Sequence, residues 1–154
     1  VNLSPEVFQG RSVAAAAIAA HECGHAVQHS TSYFWLGMRS KMVPVVNASS
    51  RIMQFVFIAS IFGMYSLSMG GNTILLVLIG TQAVIASFAV ITLPVEYDAS
   101  RRALVWLKGA GITNPQNHNM AEDALKWAAR TYLVAAVAAV TQLLYYVMIY
   151  LRRN

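Results

Sequence analysis

The 44 residues from Ile52 to Val95 contain no Asp, Glu, Lys or Arg, and Gly70-Gly71-Asn72 stands near their middle. About 20 apolar residues cross a bilayer core of about 30 Å as a helix. The run therefore predicts two spans, about 48–69 and about 73–93, joined by a tight turn. A third charge-free run, Thr131 to Leu151, has 21 residues and predicts a span over 131–151. A soluble fold of 154 residues has too little chain to wrap helices of this kind. Charged residues make up 11% of the chain, against roughly 25% in ordinary soluble domains. The expected fold is an all-α integral membrane protein in a lipid bilayer, a single domain over 1–154.

The net charge of +5 follows the spans and does not form a nucleic-acid surface. The three spans place Arg11, Arg39, Lys41, Arg51, Arg101, Arg102, Lys108, Lys126 and Arg130 on one side, nine of the eleven basic residues. By the positive-inside rule that side is cytoplasmic, with Arg152-Arg153 against the rule on the other. Small residues four apart, Ala59/Gly63, Ala83/Ser87 and Ala135/Ala139, fit helix packing in lipid, and Gln54, Gln82 and Gln142 read as interhelical hydrogen-bonding groups. Cys23 is the only cysteine, so no internal disulfide forms, and packing is its default role. The chain opens at Val1 without a start methionine, as expected of an N-terminally truncated piece of a longer protein.

Ser12 caps a predicted helix over 12–29, which runs through an alanine-rich stretch into His21-Glu22-Cys23-Gly24-His25. Tyr33-Phe34-Trp35 with Arg39 and Lys41 reads as an interfacial belt, and Pro44 as the start or kink of the first span. Pro94 suits the first turn of a new short helix over 95–108. Residues 113–118 read as loop, and Asn119 with Glu122 as a capping box.

Four residues apart on a helix, the His21 and His25 imidazoles share one face within reach of one ion. Glu22 stands beside that face, placed to deprotonate a zinc-bound water while the metal polarises a peptide carbonyl. With four His and four Glu in the chain, chance produces such a pattern with a frequency of about 0.3%. A catalytic zinc has a third protein ligand and an open position. The residue six places after His25 is Thr31, not a third histidine, so a distant carboxylate is expected. Of Glu6, Glu96, Asp98, Glu122 and Asp123, Glu96 is best placed, on the same side as the motif after a charge-free span. A helix-dipole role for Glu96 is the alternative, and the two coexist. Asp98 is spaced to pair with Arg101 or Arg102. His29 either extends the histidine stripe or stabilises the helix's carbonyl end, and His118 reads as solvated.

The blocks Leu3-Ser4-Pro5, 10–15 and 21–28, with 93–104 (LPVEYDASRRAL), resemble the YugP-like bacterial membrane zinc metallopeptidases over essentially the whole chain. The resemblance implies a further N-terminal transmembrane helix and a plan similar to the HtpX and CAAX prenyl-protein proteases. It makes His21, His25 and Glu96 ligands of one Zn2+ per chain and Glu22 the general base. In the HtpX-like pattern an aspartate often follows the ligand glutamate by four residues, a place held here by Ser100. Asp98, Ser100 and His29 are therefore the residues considered for support of the site. Related folds carry an edge strand before the motif helix, for which Val1-Asn2-Leu3 is the expected stub.

Together these features predict a zinc-dependent membrane endopeptidase of the bacterial inner membrane that acts on polypeptide substrates, including membrane proteins. A non-catalytic zinc-binding scaffold or chaperone is the first alternative. A metal transporter is disfavoured because no charged group lies within the spans. Substrate identity and oligomeric state are not encoded in any motif.

Overall fold

A computed structural model describes residues 1–61 and 71–153. The elements are α1 Pro5–Phe8, α2 Val13–Ser30, α3 Phe34–Ile61, α4 Gly71–Gly109 and α5 His118–Arg153. No strand occurs among the described residues, and Val1-Asn2-Leu3 is irregular chain leading into α1, not an edge strand. Among the described residues, three helices are long and apolar enough to cross a membrane, over Phe34–Ala59, Asn72–Gly109 and His118–Arg153. The protein is an all-α membrane protein. The last part of the first expected span (62–69), Gly63 of one small-residue pair and Gly70 of the expected turn lie outside the described residues.

Pro44, read as the start or kink of a span, lies inside α3, and Pro94, read as the first turn of a new helix, lies inside α4. A proline in a helix costs about 3 kcal/mol, yet a break would leave several backbone groups without partners, a larger cost wherever water is scarce. The expected short helix over 95–108 is thus the last third of α4, and Glu96 follows the charge-free run on the same continuous helix. α5 opens at His118, one residue before the expected cap. Glu122 pairs with Lys126 at 2.8 Å instead of closing a capping box.

The chain divides into two compact units. The first comprises Val1–Met38 and Ile91–Leu133. Its core is a cluster of Ala17 and Ala20 from α2, Ala103 and Leu107 from α4, and Ala121 and Leu125 from α5. Four alanines among six core residues let the helix backbones approach closely, the packing that small side chains permit. Ser12 accepts from the Ala15 N–H to start α2. The helix stops in a Schellman turn, with Tyr33 N–H donating to Gln28 O at 2.9 Å and Ser32 at φ 51°. A serine in that left-handed position costs about 1 kcal/mol. Gly111, at φ 68°, ends α4 in the same way, with Ile112 N–H donating to Leu107 O at 3.1 Å.

The second unit comprises Arg39–Val90 and Val134–Asn154. Within its described residues, Ile74, Leu75, Ala86 and Ala136 are buried. Gln82 Nε2 donates to Ala139 O at 3.0 Å, linking α4 to α5, whereas Gln142 donates to Tyr146 Oη on its own helix. Ser87 and Ala135 are exposed. The buried positions beside them are Ala86 and Ala136, one residue off the predicted small-residue pairs.

Candidate metal centre

α2 and the last third of α4 carry the site, and the closeness of the two backbones sets its geometry. A Cβ on Gly24 would stand 2.7 Å from Ala99 O and 3.1 Å from Ala99 Cα. Gly24 lies between His21 and His25, so this contact seats both imidazoles directly against α4. His21 Nε2 is 3.2 Å from Glu96 Oε2 and His25 Nε2 is 3.5 Å from the same oxygen. The two rings meet edge to face with centroids 4.7 Å apart.

One ligand atom from each of His21, His25 and Glu96 lies within 4.8 Å of the other two. Zinc–nitrogen and zinc–oxygen bonds of about 2.0–2.1 Å in a tetrahedron place neighbouring ligand atoms about 3.3 Å apart. The two histidine–glutamate separations already match that edge. The donor set, two imidazoles and one carboxylate, is that of catalytic zinc. Glu96 is 2% exposed, and a carboxylate is buried at this depth only with compensating groups.

The outer nitrogens of both rings are engaged. His21 Nδ1 is 3.1 Å from Ser100 Oγ, and His25 Nδ1 is 3.0 Å from Gln28 Oε1. The serine at the place of the HtpX-like aspartate therefore contacts a histidine. Asp98 is buried, not a helix-surface residue, and it holds both arginines: Arg101 Nη2 donates to Oδ1 and Arg102 Nε to Oδ2, each at 2.6 Å. Its Oδ2 also accepts from Gln28 Nε2 at 3.0 Å. Asp98 thus reaches His25 only through Gln28.

Glu22 is half-buried beside the two histidines. The hydrogen bond to Glu96 holds the His25 pKa above the ordinary imidazole value; burial opposes the rise, and the Gln28 hydrogen bond and the charges of Glu96 and Glu22 add to it. His29 is exposed and outside the cluster. Cys23 is exposed, not packed. His118 is half-buried and is tied by Nδ1 to Thr113 Oγ1 at 2.8 Å.

Three structural residues escaped the sequence reading. Gln28 extends the His21/His25 stripe at the i, i+4, i+7 spacing of one helix face, a signal that was legible but overlooked in favour of His29. Gly24 gave no signal beyond its identity. Tyr33, read as part of an interfacial belt, donates from Oη to Pro94 O at 3.4 Å and lies under the Arg102 guanidinium at 5.8 Å.

Residues 1–151 match the family described as "Putative neutral zinc metallopeptidase". The chain belongs to this metallopeptidase family. It is also 40% identical over 151 residues to a Bacillus subtilis (strain 168) protein described as "Putative membrane protease YugP". That alignment covers 98% of this chain and 64% of the relative, so the chain spans a little under two thirds of the relative's length. No solved structure matches it. Membership in the metallopeptidase family agrees with the donor set that α2 and α4 bring together.

Proposed function

We propose that this chain carries the catalytic centre of a zinc-dependent membrane endopeptidase. One Zn2+ per chain is held by His21, His25 and Glu96. The observation that carries this reading is the convergence of two imidazole nitrogens on one buried carboxylate oxygen, at 3.2 and 3.5 Å. Zinc bound there supplies Lewis acidity that polarises a peptide carbonyl and makes water a nucleophile near neutral pH.

The chain's own residues do the rest. Glu22, next to His21, takes the proton from the attacking water on its carboxylate and returns it to the leaving amine. Glu96 neutralises part of the metal's charge and fixes it between α2 and α4. Ser100 and Gln28 hold the two imidazoles by their outer nitrogens.

Nine of the eleven basic residues belong to the side that carries this site, which supports a cytoplasmic location in the bacterial inner membrane. Substrates reaching a site beside membrane spans are polypeptides in or near the bilayer. The test is peptide hydrolysis together with zinc content, wild type against Glu22→Gln, in detergent-purified full-length protein. Retained zinc with lost cleavage is the expected result. Zinc with undiminished cleavage in the variant removes the role of Glu22. Zinc with no cleavage by wild type favours the scaffold reading instead.

A further inference from the structure

Gln28 is the most completely buried polar side chain in the first unit, at 0% exposure, and nothing in the reaction outlined above explains why it is an amide. Its neighbours fix which way that amide faces. Nε2 has two acceptors around it, Val95 O at 2.8 Å and Asp98 Oδ2 at 3.0 Å. Neither can donate, because a backbone carbonyl and an ionised carboxylate offer only lone pairs. Both Nε2 hydrogens are thereby used, and Oε1 must be the atom that faces His25 Nδ1 at 3.0 Å. An amide oxygen only accepts, so Nδ1 carries the hydrogen, and in a ring that gives up its other proton to bind metal the lone pair is at Nε2, the nitrogen that faces Glu96.

Asp98 reinforces the arrangement. Its charge draws on the Gln28 N–H bonds, strengthening Oε1 as an acceptor, and its own two oxygens are held by Arg101 and Arg102. Both Asp98 oxygens are thus engaged by Arg101, Arg102 and Gln28.

We propose that Gln28 is a positioning residue that fixes the His25 tautomer and ring orientation for metal binding, with Asp98 orienting the amide from behind. The proposal rests on the His21/His25/Glu96 zinc reading. It goes beyond that reading by assigning a tautomer-setting role to a residue that does not touch the metal. His21 lacks an equivalent device, since the Ser100 hydroxyl can donate or accept.

The test compares wild type, Gln28→Met, Gln28→Glu and Tyr33→Phe in the full-length protein, by zinc affinity from chelator competition and by the visible absorption of the cobalt-substituted protein. Gln28→Met keeps the side-chain volume and removes the acceptor. It should weaken zinc binding by about 10- to 100-fold, the usual loss for such a partner, and alter the cobalt spectrum. Gln28→Glu keeps an oxygen toward His25 while opposing Asp98, so it should lower thermal stability yet bind zinc more tightly than Gln28→Met. Tyr33→Phe removes a different α2-end contact to α4 and should leave affinity within about twofold.

Equal affinity and an unchanged spectrum in Gln28→Met overturn the proposal. So does a loss of affinity that merely tracks thermal stability across the set. If neither Gln28 variant folds, nitrogen-15 histidine spectra of the zinc-loaded wild type decide it: a hydrogen on His25 Nδ1 supports the assignment and its absence refutes it. Absence of zinc binding by wild type would instead overturn the underlying zinc reading.

Discussion

Gly24 lies against the backbone of Ala99 so closely that any side chain at position 24 would meet Ala99 O at 2.7 Å. This contact holds the motif helix to the glutamate helix at the level of the metal centre. Gly24→Ala should destabilise the protein by about 1–3 kcal/mol through overpacking. It should also weaken zinc binding, because α2 must shift away from Glu96 to relieve the clash. Thermal denaturation with and without chelator checks both effects. An alanine variant with wild-type stability and affinity would show that the helices have slack.

Glu96 supplies the shared oxygen of the site, so Glu96→Ala should abolish stoichiometric zinc. In the metal-free protein the same change removes the main cause of the raised His25 pKa. The His25 titration should therefore move down in that variant, and nitrogen-15 spectra of labelled histidine would follow it.

Ser100→Ala leaves His21 Nδ1 without its 3.1 Å partner. Zinc affinity should fall by about tenfold or more, with little change in thermal stability of the metal-free protein. Chelator competition measures the first and circular dichroism the second.

Protons and zinc compete for His25. Because its folded pKa is raised, the charged pair with Glu96 stabilises the metal-free protein most at and below the ordinary imidazole pKa of about 6.5. That contribution is lost as pH rises through the higher folded value. Zinc binding runs the other way, since the ligand must be deprotonated. Affinity should be level at high pH and start to fall while pH is still above about 6.5. Affinity that stays level down to pH 6 would contradict the shift.

The membrane class was legible because charge-free runs of 44 and 21 residues have few structural solutions. The histidine pair was legible because helix spacing alone brings His21 and His25 to one face. Apart from the family resemblance of the 93–104 block, Glu96 could be singled out only by scarcity of acids and by topology, since no helix spacing ties it to a motif seventy-one residues earlier. The continuity of α4 through Pro94 was not legible, because proline chemistry suits both a helix start and a tolerated interior position. Nor was the Gln28–Asp98 link: it depends on the close approach of two helices that Gly24 permits, a tertiary fact with no one-dimensional signature.

In the proposed centre two histidines on α2 hold one zinc ion together with a glutamate on α4. Metal analysis of the purified full-length protein, wild type beside a His21→Ala/His25→Ala double variant that remains folded, tests it most directly. About one zinc per wild-type chain and none in the double variant is the expected result. Stoichiometric zinc retained in the double variant would contradict the account.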